Sequence, residues 1–375
     1  MIATRLAAYY GAIFFVIGIM LPFWPLWMQS RGLSPEDIGV VMGIGMLMKV
    51  AINPVIAGYA DRTGTRRGPL IVFSVFATMA FSTFWPAHGF WPILAVTMAF
   101  FLFWSPLMPL TETLTMHYGT AGKLDYGRVR LWGSLTFIVA AWGGGSLLTG
   151  RSEDLIYWII LGGAVAVVIS AVLLPNARLT ASESHNSFAP ILQVLKDRTF
   201  LWFIVATSLI QTSHIIYYAF GTIHWQKVGH SKAVIGWLWA EGVIAEVLLF
   251  MWGDKIVKRV GATHLIALAG LAGLIRWWGT GVTDELPALV FLQILHGATF
   301  GAAHLGAIHF IAQHMEASVS ATAQSVYAAA VSGIGFSLAS LVSGHMYATQ
   351  GGAAYLPMAV MAGLGGVIAF QLRRR

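Results

Sequence analysis

Long apolar runs alternate with short polar breaks from one end of the chain to the other. A helix needs about 20 apolar residues to cross a bilayer. Windows of that kind fall at 5–29, 37–59, 69–86, 92–117, 127–149 and 155–174, then at 199–222, 233–252, 262–280, 287–313, 320–346 and 353–371. The one long hydrophilic stretch is PNARLTASESHNSFAPILQVLKDR, 175–198. It separates six runs from six. The pattern predicts an all-α membrane protein of 12 transmembrane helices: an N-terminal six-helix bundle over 1–174, a central loop over 175–198 and a C-terminal six-helix bundle over 199–375. The first run follows a single arginine, outlasts a signal-peptide core and has no clear small-x-small cleavage site, so it reads as an uncleaved helix.

Composition agrees: 57% of residues are hydrophobic and 10% charged, against about 25% charged in soluble domains. The chain has no cysteine, which excludes disulfides, thiol nucleophiles and cysteine metal sites. A net charge of +7 raises the question of nucleic acid, but the basic residues are not distributed that way. Sixteen lie in loops on one side, including Arg62, Arg66 and Arg67, Lys123, Arg128 and Arg130, and Arg373, Arg374 and Arg375; four (Arg31, Arg151, Lys227 and Lys232) lie on the other. The positive-inside rule then places both termini and the central loop in the cytoplasm, in a bacterial-type inner membrane. The implied macromolecular partner is the lipid bilayer, with no nucleic acid. Trp24, Trp27, Trp85, Trp91, Tyr157, Trp158, Trp225 and Trp252 cluster near span ends and are expected to be mostly interfacial anchors. WGGG at 142–145 and GLAG at 270–273 predict close helix packing.

The turn after the second run reads AGYADRTGTRRGPL, 57–70. Gly64 permits a backbone conformation that other residues resist. Asp61 can cap a helix, and Arg62, Arg66 and Arg67 can bridge to neighbouring helices. Asp61-Arg62 followed by Gly64, Arg66 and Arg67 resembles the loop signature of the major facilitator superfamily, with departures at Ala57 and Thr65. A weaker copy, WGDKIVKRVG at 252–261, follows the eighth run and supports internal duplication. DYGRVRLWGSLTF at 125–137, which contains Asp125 and Arg128, together with LPFWPLW, AEVLLF, IRWW and LHGATFGAAH, resembles the 3-phenylpropionic-acid transporter-like branch. That branch is related to the lactose permease and to nucleoside–proton symporters. The resemblance spans nearly the whole chain. It implies secondary transport by alternating access, with Asp61, Arg62, Gly64, Arg66, Arg67, Asp125 and Arg128 in gating loops. No Walker-type phosphate loop suggests ATP-driven transport.

Charges inside the apolar runs are the candidate chemistry, since each costs roughly 2.5–3.5 kcal/mol at the bilayer centre unless it faces a cavity or a partner. The acids are Glu112, Glu241 and Glu246; the bases are Lys49 and Arg276, with Arg130 just inside the fifth run. Glu246 and Arg276 lie at similar depth on consecutive antiparallel spans and are expected to pair. The pair reads either as a structural bridge or as a proton site whose acid responds to the arginine. Glu241, more than a turn nearer the periplasm, is either a gate acid or a headgroup neighbour. Glu112 and Arg130 are 18 residues apart across a turn; by resemblance to the lactose permease, where a Glu and an Arg at this spacing hold the sugar, they bind substrate. Lys49, with Asn53 one turn away, can pair with an acid or receive a substrate carboxylate. Trp24, beside Pro22 and Pro25, can supply an apolar wall.

Four histidines crowd QILHGATFGAAHLGAIHFIAQH, 293–314. His296 follows Arg276 by 20 residues, the spacing of the Arg and His in the lactose permease's coupling site. The acid that follows in that permease is here Thr299, so the proton must sit on Glu246, Glu241 or a histidine; imidazole titrates close to working pH. His304 lies two turns on, where both rings could border one cavity, and His214 can join from the seventh run. His309 and His314 read as structural. No histidine spacing supports a metal site, and no cofactor is implied. The expectation is a monomeric, non-enzymatic carrier for a small-molecule substrate and protons. An aromatic carboxylate such as 3-phenylpropionate is favoured over two alternatives, a sugar or nucleoside symporter and a drug or metabolite antiporter.

Overall fold

The computed structural model describes residues 1–176 and 189–372, apart from the side chains of residues 57, 61–63, 189, 317 and 332. Most of the central loop therefore lies outside the described residues, as do the side chains of Asp61 and Arg62. The rest is helical. In the first half run α1 (Ile2–Ser30), α2 (Pro35–Thr63), α3 (Arg67–Ser82), α4 (Phe90–Trp104), α5 (Leu107–Thr120), α6 (Tyr126–Leu148) and α7 (Asp154–Val172). After the short α8 (Ala189–Lys196) come α9 (Arg198–Thr212), α10 (Ile215–Lys227), α11 (Lys232–Met251), the short α12 (Gly253–Val260), α13 (Ala262–Val282), α14 (Leu286–His296), α15 (Ala302–His314), α16 (Ala317–Ala328), α17 (Phe336–Gln350) and α18 (Tyr355–Leu372). Among the described residues, ten stretches are long and apolar enough to cross a membrane; one of them, Ser318–Leu372, holds two spans, and α3 is a shorter apolar helix. These correspond to the 12 expected crossings.

Several expected single spans are broken. Pro106 cannot continue α4 as a regular helix, and α5 starts beyond it. The seventh span divides at Ser213–His214 into α9 and α10. The tenth contains a π-helical segment, Gly297–Gly301, between α14 and α15, and the eleventh another, Ala329–Gly335, between α16 and α17. Such breaks survive in a membrane only where the freed backbone groups find partners in the protein. At the seventh span they do: the Gln211 carbonyl accepts from the His214 backbone N–H at 3.2 Å and from the His214 ring Nδ1 at 3.0 Å.

The helix ends follow local rules. Ser34 and Asp37 form a reciprocal capping box ahead of α2, with Pro35 in its first turn. Gly64 ends α2 in the left-handed region at φ 64°, as its place in the loop signature leads one to expect. Arg66 is buried and donates to the Ala60 carbonyl, and Arg67 Nη2 donates to the Val172 carbonyl at 2.6 Å. Asp125 caps α6 through the Arg128 N–H, while the Arg128 side chain stays exposed.

Contacts divide the chain into two compact units, Met1–His185 with Ser231–Trp237, and Asn186–His230 with Leu238–Arg375. One segment from the second half of the chain, Ser231–Trp237, thus groups with the first unit. In the first unit Lys232 Nζ donates to Glu153 at 2.7 Å, and Thr149 Oγ1 accepts from the Ala233 N–H at 3.0 Å. Gly145 and Gly236 meet backbone to backbone, where a Cβ on either would collide. In the second unit α13 lies against α18 through Gly270 and Gly366 in the same way.

The aromatic residues near span ends sort into two groups. Trp85, Trp91, Trp158 and Trp252 are exposed, as anchors are. Trp24, Trp27, Tyr157 and Trp225 are buried, a correction to the expected anchoring role. Trp24 and Trp27 stack at 4.3 Å, with Phe81 and Phe84 packed against Trp24. Outward positions such as Val139, Ile169, Leu271 and Val367 are exposed and apolar, the surface that a lipid solvent favours.

Asp197 caps α9 and also meets His314 Nε2 at 2.9 Å. Burial alone would raise its carboxyl, but the Phe200 N–H, the His314 ring and the Thr199 N–H outweigh it and hold the group below its ordinary 3.8. A depressed acid stabilises the fold above its unfolded value and loses that contribution as pH falls through the folded one. We expect Asp197→Ala to cost about 1 kcal/mol, with Asp197→Asn keeping the cap but losing the ion pair. Thermal melts of the purified protein should show the deficit of the Ala variant at pH 7 and its shrinking below about pH 4.

Candidate functional site

In the second unit, Arg276 is fully buried. It projects from α13 into neutral acceptors: Nη2 donates to Gln293 Oε1 at 2.8 Å, and Nη1 to His296 Nδ1 at 2.9 Å and Thr299 Oγ1 at 3.0 Å. Its guanidinium lies over Trp277 at 4.4 Å and Tyr217 at 4.9 Å. The predicted direct Glu246–Arg276 pair is not formed. His296 stands between them, with Nε2 3.8 Å from Glu246 Oε2. The reason is packing: Gly242 faces the His296 side chain and Gly297 faces the Ala245 carbonyl, so α11 abuts the end of α14 closely and the imidazole fills the space between acid and base.

The proton positions follow from donor inventory. A guanidinium only donates, so His296 Nδ1 accepts and the ring proton is on Nε2, directed at Glu246. His214 Nδ1 donates to the Gln211 carbonyl, so Nε2 of the neutral ring accepts from the Thr299 hydroxyl at 3.1 Å. Thr299 therefore joins Arg276 to His214. The chain from Glu246 runs through His296, Arg276 and Thr299 to His214, with a single carboxylate at one end.

The π-helical turn shapes the histidine column. An i→i+5 turn slows the helix's rotation and places Phe300 parallel to His296 at 5.5 Å and to His304 at 6.4 Å. The two histidines do not share a cavity as expected: His296 is buried and His304 is exposed, with Phe300 between. Glu241 is half-buried more than a turn from Glu246, and its Oε2 has no hydrogen-bond partner among the described residues. His309 donates from Nδ1 to the Leu305 carbonyl, and His314 meets Asp197, both away from the Arg276 cluster.

In the first unit, Arg130 Nε donates to Glu112 Oε1 at 3.3 Å, so this expected pair is formed. Tyr126 donates to the other carboxylate oxygen at 2.6 Å, and the guanidinium lies over Phe14 at 4.3 Å. Lys49 is half-buried on α2, its ammonium 5.2 Å from the Phe101 ring centre. Asn53, one turn on, has no hydrogen-bond partner for its Oδ1 among the described residues. Lys49 and Trp24 line one cavity of about 160 Å³ among aromatic and methionine side chains. A wider groove along α1, α6 and α7 is lined by small residues and exposed tryptophans, with Asp125 and Arg128 paired at one end, and presents a lipid-type surface.

Sequence reasoning missed Tyr126, Tyr217 and Gln293. Two of these carry a signal: Tyr126 is one turn before Arg130, and Gln293 is one turn before His296, each on the charged face. Tyr217 is set beside Arg276 by the break at Ser213–His214, which no spacing foretells. Among the described residues no group of three His, Asp or Glu side chains could hold a metal.

The sequence model of the "MFS_1 like family" matches residues 3–356. The chain belongs to that family. The "Probable 3-phenylpropionic acid transporter" of Escherichia coli is 33% identical over 371 residues, 96% of this chain and 95% of the relative. The "Maltose permease" of Geobacillus stearothermophilus is 24% identical over 99% of this chain and 95% of its own length. Among solved structures, the D323A mutant of the nucleoside transporter NupG superposes with a TM-score of 0.85 at 17% identity, covering 100% of this chain and 99% of that one. At such identity the likeness shows the fold, which is that of the facilitator superfamily. This protein is therefore a multi-pass membrane protein of a transporter family and not an enzyme.

Removing Gln293's acceptor strands a buried guanidinium nitrogen. Gln293→Leu is expected to lower stability by about 1–3 kcal/mol, whereas Gln293→Glu, which offers an acceptor and a counter-charge, should restore most of it. Thermal melts of the two purified variants decide this.

Proposed function

We propose that the protein is a proton-coupled symporter that brings a small organic solute, an aromatic carboxylate such as 3-phenylpropionate, across the inner membrane by alternating access. The observation that carries the reading is the line from Glu246 through His296 to the buried Arg276, in a chain one-third identical to the relative named for that acid. Arg276 holds its charge in every protonation state. With Glu246 ionised, the carboxylate attracts the Nε2–H of His296 and balances the guanidinium. With Glu246 protonated, that attraction is lost and the positive charge of the cluster is uncompensated. A proton on Glu246 thus changes what the cluster attracts, which a symporter requires. His304 and Glu241 are the flanking proton-linked groups of this reading.

Glu112, Arg130, Lys49, Asn53, His296 and Trp24 are the proposed substrate-binding residues. The α2–α3 turn with Asp61, Arg62, Gly64, Arg66 and Arg67, and the α6 start with Asp125 and Arg128, are the proposed gating loops. The carrier acts as a monomer with both termini in the cytoplasm, as the placing of its basic residues favours. One observation favours a second reading: a carboxylate fixed by Arg130 and Tyr126 suits hydroxyl recognition, and a maltose permease is among the relatives.

External pH recorded in lightly buffered cells expressing the protein separates the two. Alkalinisation on adding 3-phenylpropionate, and none on galactosides or nucleosides, is expected. Glu246→Gln should abolish this proton movement while leaving solute exchange in place; unchanged alkalinisation in that variant would remove Glu246 from the mechanism.

A further inference from the structure

In the first unit, Lys49 is a cation whose chemistry the ion pairs above leave unused. Lys49 sits within the membrane-crossing part of α2, and no hydrogen bond or ion pair to it occurs among the described residues; it has only the face of Phe101. The acid within the unit's spans, Glu112, has both oxygens engaged by Arg130 and Tyr126. The unit's other acids with described side chains stand at helix starts: Glu36 and Asp37 on α2, Asp125 before α6, Glu153 and Asp154 at α7. A lysine ammonium has three donors, and leaving it among rings in a membrane is costly.

The space beside it is shaped and apolar. Trp24, Phe84, Phe100, Phe101 and Trp104 wall the cavity, with Lys49 the charged group in its lining. The walls are braced: Trp104 stacks on Phe100 at 5.3 Å, Phe84 meets Trp24 edge to face at 4.9 Å, and Trp24 is backed by Trp27. The volume of about 160 Å³ is close to that of the engineered cavity, about 150 Å³, known to take up benzene. One aromatic ring fits, and two do not.

We infer that this cavity is the recognition site for a monocyclic aryl carboxylate, the ring held among Trp24, Phe100 and Trp104 and the carboxylate received by Lys49 Nζ. The inference rests on the aryl-acid reading above and deepens it by assigning the choice of an aryl anion over neutral solutes to the cavity beside Lys49. Charge excludes aryl amines, which the ammonium repels. Neutral sugars offer no anion to the ammonium. Lys49 is the discriminating residue among the substrate-binding residues proposed above.

The test is equilibrium binding of radiolabelled 3-phenylpropionate to the full chain in lipid nanodiscs, paired with the pH recording in cells. Unlabelled 3-phenylpropionamide, which keeps the ring and loses the charge, should compete about tenfold or more weakly than the acid. Lys49→Met should weaken binding by a similar factor, and Lys49→Arg by less. Should Lys49→Met fail to fold, Gly45→Ala serves instead: its Cβ would press on the Phe101 ring at 2.8 Å and narrow the cavity, so ring-bearing ligands should bind less well. Equal affinity of wild type and Lys49→Met, or equal competition by acid and amide, overturns the site while leaving aryl-acid transport intact. Absence of both binding and alkalinisation in the wild type overturns the aryl-acid reading and this site with it.

Discussion

A guanidinium cannot be neutralised at any accessible pH, and in hydrocarbon it has no water to turn to. Arg276 imposes that constraint on the second unit. Among the described residues its hydrogen bonds to Gln293, His296 and Thr299 all go to neutral groups. Aromatic faces supply part of the electrostatic balance, and the nearest carboxylate stands behind an imidazole. A direct carboxylate–guanidinium bridge would be deeper and harder to disturb. Interposing a histidine keeps the guanidinium hydrogen-bonded while holding the carboxylate at one remove.

The helix irregularities serve this arrangement. A regular seventh span would not bring His214 and Tyr217 to the same charge, and a regular tenth span would not align His296, Phe300 and His304 in one column. Each break costs backbone hydrogen bonds that lipid cannot replace. The side chains around the breaks replace them, as the double use of the Gln211 carbonyl by His214 shows. Glycines take the complementary part: Gly242 and Gly297 let α11 and α14 approach closely enough for Glu246 and His296 to meet.

The first unit solves its charges differently. Glu112, Arg130 and Tyr126 form a conventional bridge between α5 and α6. Lys49 is left to a ring face beside an aromatic cavity. One unit thus holds a buried guanidinium with its carboxylate behind an imidazole, and the other a lysine beside an aromatic cavity.

How much of this was legible depends on distance along the chain. Hydropathy alone determined the 12 crossings, because a helix in lipid must be apolar over a fixed length. The residue order around Gly64 determined the α2 end, because a left-handed cap needs glycine. Glu112 and Arg130 were readable as partners because a short turn joins their antiparallel helices, so depth follows from counting. The same counting failed for Glu246 and Arg276. Depth was right, but facing was decided by close approach at Gly242 and Gly297 and by the π-helical turn after His296. The burial of Trp24 and Trp27, the neutral shell of Arg276 and the cavity beside Lys49 likewise come from helices far apart in sequence. Composition fixes which groups lie at a given depth; only the packing of one helix face against another fixes which of them touch.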